Sequence, residues 1–297
     1  MRHRAFLSKE SPHVYRDRSW HVGVKAILLS EQGDVLATQT EKLQVSRPHP
    51  LWSEQDPEQW WQATDRAMKA LGEQHSLRGV KALGIAGQMH GATLLDSQHR
   101  VLRPAILWND GRCAEECAIL EERVPASREI TGNLMMPGFT APKLLWVQRH
   151  EPEIFAGGEG SVAERLPAFS HDGDFASDMS DAAGTMWLDV AKRNWSEAML
   201  DACQLTRDHM PALFEGSEIT GALQPSVAER WNMPAVPVVA GGGDNAAGRS
   251  AWGWSRQDRP CSRSALPVSI LPSVTGIVAI TEAPYTASAT RCRVNGI

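Results

Sequence analysis

The stretch Val-Pro-Val-Val-Ala-Gly-Gly-Gly-Asp-Asn-Ala-Ala-Gly, residues 236–248, constrains this chain most. Its apolar, β-rich run from Val236 to Ala240 reads as a buried strand. The run ends in Gly241-Gly242-Gly243, where no Cβ prevents a sharp turn or the close approach of a ligand. Asp244 and Asn245 follow, and the small residues Ala246, Ala247 and Gly248 then open a helix. Open α/β sheets place their chemistry at the carboxyl ends of such strands. Asp244 in that place can take a proton from a substrate hydroxyl. It can equally cap the helix that follows.

Two further segments repeat the pattern. Val80 to Ala86 is a strand candidate that runs into Gly87-Gln88-Met89-His90-Gly91. Gln and His both hydrogen-bond hydroxyls, although a turn with a solvated histidine explains the same residues. Ala105 to Leu107 leads into Trp108-Asn109-Asp110-Gly111-Arg112. An aromatic beside an amide, a carboxylate and a guanidinium suits a polyol or sugar. The alternative is a capped helix start with Trp108 in the core.

The rest of the chain alternates strand and helix signals, the mark of an α/β protein. Val24 to Leu29 and Val35 to Thr40 flank the Gly-containing turn Glu31-Gln32-Gly33-Asp34 and predict a hairpin. Asp56-Pro57-Glu58-Gln59 is a helix start, with Asp as cap and Pro in the first position. Strands are expected at 80–86, 93–95, 102–107 and 187–190, and helices at 142–149 and 195–203. Trp60, Trp61, Trp146 and Trp195 read as core residues rather than sugar platforms. Cys113 and Cys117 share one helix face but have no second ligand pair, which indicates packing rather than zinc. No metal ligands are expected.

Charge and hydropathy exclude other classes. The 297 residues carry a net charge of −5, with charges of both signs in the head, and this does not suit a nucleic-acid partner. No apolar run reaches a membrane span. The head lacks the apolar core of a secretory signal, and five scattered cysteines fit a reducing, cytoplasmic compartment.

In order, these segments resemble the FGGY family of carbohydrate kinases. The resemblance runs from about Gly23 to Phe155 and from about Phe175 to Gly248. It includes Trp52-Ser53-Glu54-Gln55-Asp56-Pro57, Gly132-Asn133, Pro142-Lys143-Leu144-Leu145-Trp146 and Ser180-Asp181-Ala182-Ala183-Gly184-Thr185. It implies the first lobe of a ribonuclease-H-like, actin/hexokinase-type ATPase fold. It further implies transfer of the ATP γ-phosphate, with Mg²⁺, to the terminal hydroxyl of a sugar, D-xylulose by the nearest branch. Asp244 matches the family's catalytic base, Met89 and His90 its sugar-binding pair, and Asn245 a sugar contact beside the base. For the intact family, the resemblance implies a homodimer.

The phosphate loops depart from the family. Where the family has a strand followed by Asp-Leu-Gly-Thr-Ser-Gly, this chain reads Tyr15-Arg16-Asp17-Arg18-Ser19-Trp20-His21-Val22-Gly23. The coding string TATATCGGGATAGATCTTGGCACC accounts for both. It gives Tyr-Ile-Gly-Ile-Asp-Leu-Gly-Thr in one frame. Read two bases later, it gives Tyr-Arg-Asp-Arg-Ser-Trp-His, residues 15–21. Similarly, a string for Leu-Pro-Lys-Asp-Tyr-Leu-Arg yields Val-Ala-Glu-Arg-Leu-Pro-Ala-Phe, residues 162–169. A string for Ser-Leu-Gly-Thr-Ser-Gly-Val, the second lobe's phosphate loop, yields Arg-Ser-Ala-Leu-Pro-Val, residues 263–268. The expected organisation is therefore an out-of-frame head at 1–21 and a first lobe at 22–248 interrupted out of frame at 156–174. A disordered out-of-frame tail at 249–297 follows, the second lobe is missing, and no residues are left to bind nucleotide. Val268 to Leu271 and Val274 to Ile280 are expected as stray strands without partners. Two functions stay open: a xylulose-phosphorylating kinase by lineage, or a non-catalytic remnant that at most binds sugar weakly. An unrelated actin-type ATPase is a third, disfavoured by Met89-His90 and by Trp108 to Arg112.

Overall fold

The computed structural model describes residues 23–30, 34–158, 161–163, 175–244 and 274–281. The expected hairpin is present: β1 (Gly23–Leu29) and β2 (Val35–Lys42) pair antiparallel. Alternate residues Val24, Ala26 and Leu28 are buried, as the two-residue period of a strand requires. β3 (Glu54–Gln55) leads into α1 (Pro57–Gln74), where the Asp56 carboxylate caps the helix by accepting from the Glu58 N–H at 3.0 Å. Ala63, Ala67, Met68 and Leu71 recur at helical spacing and are all fully buried, and α1 packs on β1 and β2. β4 (Val80–Gly87) and β5 (Thr93–Leu95) follow as expected.

The strand expected at 102–107 shortens to β6 (Ala105–Ile106). Pro104 has no N–H to give to a ladder. Four helices come next: α2 (Ala114–Arg123), α3 (Ser127–Thr131), α4 (Thr140–His150) and α5 (Pro152–Gly157). β7 (Ser161–Ala163) pairs with β5. β8 (Ala176–Asp178) then runs into α6 (Met179–Gly184). The strand expected at 187–190 becomes β9 (Leu188–Asp189), paired with β10 (Asn194–Trp195). Trp195 is thus in a strand, and α7 (Glu197–Asp201) is shorter than the expected helix because Ser196 caps it. β11 (Ala212–Phe214), β12 (Ile219–Ala222) and α8 (Pro225–Arg230) lead to β13 (Pro237–Gly243). Trp60, Trp146 and Trp195 are buried and Trp61 is partly buried, so all four tryptophans pack as expected.

Buried Asp65 on α1 ties this helix to α8. It accepts both prongs of the Arg230 guanidinium at 2.6 Å and the Trp231 indole N–H at 3.0 Å. The arginine holds its carboxyl well below the usual carboxylate range.

The last described strand, β14 (Val274–Thr281), corrects an expectation. It is not stray but lies inside the main sheet, whose order is β12-β13-β4-β14-β1-β2. It runs parallel to β1 and antiparallel to β4. Between β1 and β4 two rows of backbone N–H and C=O groups face each other, and leaving them unpaired is costly. An extended β-branched run satisfies both. β1 has only two edges, and β2 takes the other one. A strand directly preceding β1 in a hairpin would need the edge that β14 holds, and would run antiparallel to β1. Residues 1–22, 31–33, 159–160, 164–174, 245–273 and 282–297 lie outside the described residues, and with them the matching positions 15–22, most of the expected hairpin turn and the remainder of the expected tail.

A proline in a central strand removes a ladder donor. Val278→Pro is therefore expected to speed amide hydrogen exchange in both β1 and β4, read by mass spectrometry. Unchanged protection of those strands would show that β14 does not hold the sheet together.

Candidate functional site

The sheet brings two of the singled-out segments together. β4 and β13 run parallel, with Gly243 opposite Gly87. Their carboxyl ends therefore lie side by side, and Gln88-Met89-His90 and Asp244 leave the sheet at the same end. The glycine run makes this closeness possible. Gly241 has a positive φ of 74°, and a Cβ there would stand 1.8 Å from the Ile85 carbonyl oxygen. A Cβ on Gly243 would stand 2.5 Å from the Met89 side chain, so this glycine forms Met89's seat.

His90 is seated in the same way on another element. A Cβ on Gly184, the last residue of α6, would stand 2.1 Å from His90 Nε2. The His90 ring lies 5.0 Å from the Phe139 ring, centroid to centroid. Its backbone has a φ of 68°, rare for a residue with a side chain. Nε2 is buried and has no hydrogen-bond partner among the described residues. Burial first, and then the positive charge of Lys143, lower the imidazole pKa to about 4, against a hydrogen bond to the Gly138 backbone that raises it. His90 is thus neutral at neutral pH, and a neutral ring nitrogen can donate to or accept from a hydroxyl, depending on the tautomer.

This shift predicts a pH signature. Between about 6.5 and about 4 an unfolded His90 takes a proton that the folded one refuses. Stability therefore falls as pH drops through that window and is unaffected by this group above it. Urea midpoints of the wild type and His90→Gln should differ by a constant amount above the window and converge on acidification. Parallel curves from pH 7 to 4 would rule the shift out.

Asp244 directly follows β13 and is half-buried. The residue before it is clamped: the Gly243 N–H donates to Ser180 Oγ at 3.3 Å. Ser180 in turn donates to the Asp178 carboxylate, which also accepts the Ser180 N–H at 2.7 Å. The structure therefore brings Met89, His90 and the strand end bearing Asp244 to one place. Asn245 lies outside the described residues.

The third segment divides. Trp108 is 40 % exposed, not in the core. Its carbonyl oxygen passes 3.0 Å from where a Cβ on Gly138 would stand. Asp110 and Arg112 turn inward instead. Asp110 accepts from the Ser53 N–H at 2.6 Å and from the Arg112 guanidinium at 2.9 and 2.7 Å. Arg112 also pairs with Glu54 at 2.8 Å and stacks 3.6 Å above the Trp52 ring. Gln88 is buried too, donating to Gln55 Oε1 at 2.9 Å. These polar groups support the site's walls rather than its opening. Buried charges persist only when paired and hydrogen-bonded in this way.

Lys143 and Gly184 lie in segments that carry the resemblance, but only the spatial contacts give them roles. At Gly243 the close approach expected of a ligand is made by the Met89 side chain. The Cys113 and Cys117 thiols are buried, and desolvation raises them to about 12 and about 11, so they are inert packing groups as expected. Among the described residues no three His, Cys, Asp or Glu groups converge as a metal site, and no helix is long and apolar enough to cross a membrane.

Comparison with known proteins places this geometry. The chain is 78 % identical over 227 residues to the xylulose kinase of Escherichia coli (strain K12), covering 76 % of this chain and 47 % of that protein. It is 71 % identical over 227 residues to the xylulose kinase of Klebsiella pneumoniae, with the same coverage. The solved xylulose kinase from Rhodospirillum rubrum superposes with a TM-score of 0.69 at 26 % identity, covering 79 % of this chain and 52 % of that one. The chain thus spans about half the length of the curated relatives it matches, and its mixed α/β fold is that of the first domain of these actin/hexokinase-type proteins. The model for the N-terminal domain of the FGGY family matches residues 22–250, a span that holds every described site residue, and with the carboxyl ends of β4 and β13 meeting as they do, the chain belongs to the FGGY family of carbohydrate kinases.

Proposed function

We propose that this chain is the sugar-binding lobe of an ATP-dependent kinase that converts D-xylulose to D-xylulose 5-phosphate. In this reading Met89, His90 and Asn245 hold the sugar, and Asp244 accepts the proton of its terminal hydroxyl. The hydroxyl oxygen then bonds to the γ-phosphorus as the bond to the ADP oxygen breaks. A positioned carboxylate supplies the base such a poor nucleophile needs. The carrying observation is the meeting of His90 and Met89 with the strand end bearing Asp244. The identity to proteins named xylulose kinase supports D-xylulose as the sugar. The described residues form no protein ligand set for Mg²⁺. Bound together with the nucleotide, Mg²⁺ would supply charge neutralisation at the phosphates. Buried free thiols support a reducing, cytoplasmic location.

A second reading, a lobe that binds sugar without turning it over, has its own observation. Trp20 and His21 stand where a phosphate turn needs Gly and Thr. In addition, β14 enters the sheet at the site end with its amino end, opposite Ala86, rather than leaving it there. The test is a titration of the purified chain with D-xylulose, glycerol and gluconate, followed by NMR. D-xylulose is expected to bind most tightly, in the millimolar range of a single lobe, and His90→Ala to weaken that binding about tenfold or more while leaving it measurable. Preference for glycerol or gluconate would overturn the sugar assignment.

A further inference from the structure

Lys143 is fully buried, although it carries a charge. It sits in the first turn of α4, the helix that begins right after the Gly138-Phe139 loop. Its ammonium donates to the His90 carbonyl at 2.7 Å and to the Gly138 carbonyl at 2.6 Å. One side chain thereby bridges the turn after β4 to the loop before α4. The bridged loop carries Phe139, whose ring packs against His90. The same helix is fastened to α6: the Ala141 N–H donates to the Thr185 carbonyl at 2.9 Å, next to the Gly184 seat of His90.

Packing alone does not require a lysine here. A Met of similar length would fill the space without the cost of desolvating an ammonium, which is large unless hydrogen bonds offset it. What only a donor group can do is hold two carbonyls that would otherwise face each other. One of them belongs to a residue in the left-handed region, a conformation that persists only where its surroundings impose it.

We propose that Lys143 is a positioning residue for sugar binding: its ammonium clasps the His90 and Gly138 carbonyls, fixes the left-handed turn, and so aims the His90 ring. This rests on the reading of the site as a sugar site. The charge it brings also agrees with the neutral state of His90. Lys143 touches no substrate in this scheme and acts only through His90.

The test uses the full chain with Lys143→Met, His90→Ala and the double variant. Affinity for D-xylulose is measured by NMR titration, and the His90 ring signals are followed in Lys143→Met. Lys143→Met is expected to weaken binding about tenfold, the scale of losing a charge-assisted hydrogen bond, and to move the His90 ring signals. The double variant should bind no worse than His90→Ala, since residues acting in series do not add. Losses that multiply, or His90 signals that stay in place, would overturn the proposal. If the wild type binds no D-xylulose, the sugar reading fails, and the His90 signals of Lys143→Met still decide the positioning role. If Lys143→Met does not fold, the wild-type ammonium decides: ¹⁵N spectra should show a protonated Lys143 with slowly exchanging protons, and a neutral or freely exchanging amine would refute the clasp.

Discussion

Supplied with ATP, Mg²⁺ and D-xylulose, the purified 297-residue chain is expected to form no xylulose-dependent ADP. Phosphoryl transfer is mostly positioning and charge stabilisation around the phosphates. The positions that should supply the first phosphate turn read Arg18-Ser19-Trp20-His21. The sheet edge next to β1 is held by β14 in the wrong direction to lead into such a turn. The proposed base Asp244 cannot compensate for either. Recoding residues 1–21, 156–174 and 249–297 in the alternative frames, and supplying the second lobe, is expected to restore turnover. In that restored enzyme Asp244→Ala should lower kcat about a hundredfold or more, the usual loss with a general base. Xylulose-dependent ADP release from the chain as it stands, abolished by Asp244→Ala, would refute the frame reading. Near-normal kcat of the restored Asp244→Ala enzyme would refute the base role.

Gly241→Ala is expected to unfold the sheet's site end. A methyl there would lie 1.8 Å from the Ile85 carbonyl oxygen and 2.8 Å from its carbon, both backbone atoms of β4. No rotamer change relieves a clash with backbone. The φ of 74° adds strain for any L side chain. The Gly241 N–H is also committed, to the Gly216 carbonyl at 2.9 Å. A shift of β13 would break this bond and its register with β4. The cost should be several kcal/mol, on the order of an overpacked core together with a strained backbone. That is much of the stability of a typical domain. Gly79→Ala is the control, since a Cβ at Gly79 meets nothing within 4 Å. Thermal or urea unfolding of the two variants compares them. Equal stability would mean that the β4–β13 contact is looser than described.

Local pattern was enough for much of the fold. The β1–β2 hairpin, the Asp56-capped α1 and the strands β4 and β13 are each written in a short window, because strand and helix periods and caps are properties of neighbouring residues. The strands overestimated at 102–107 and 187–190 also failed for local reasons: Pro104 breaks one ladder, and the other is a two-residue pairing too short for periodicity to reveal. Met89, His90 and Asp244 could be singled out as candidate site residues from polar groups at strand ends and from resemblance. Their meeting was not. It follows from the parallel register of β4 and β13, a pairing of residues more than a hundred positions apart. Nor could the sequence show that Arg112 would turn from the sugar side to Glu54 and Asp110, that Gly184 would form the seat of His90, or that Lys143 would clasp its carbonyl. β14 shows the limit most directly. A run of β-branched residues declares that it can be a strand, but its partner is decided by whichever backbone edge is open. The sequence by itself determined the elements and the chemical types available at their ends; tertiary structure decided which ends meet, because hydrogen-bond satisfaction and steric fit between distant segments are settled only when the chain closes on itself.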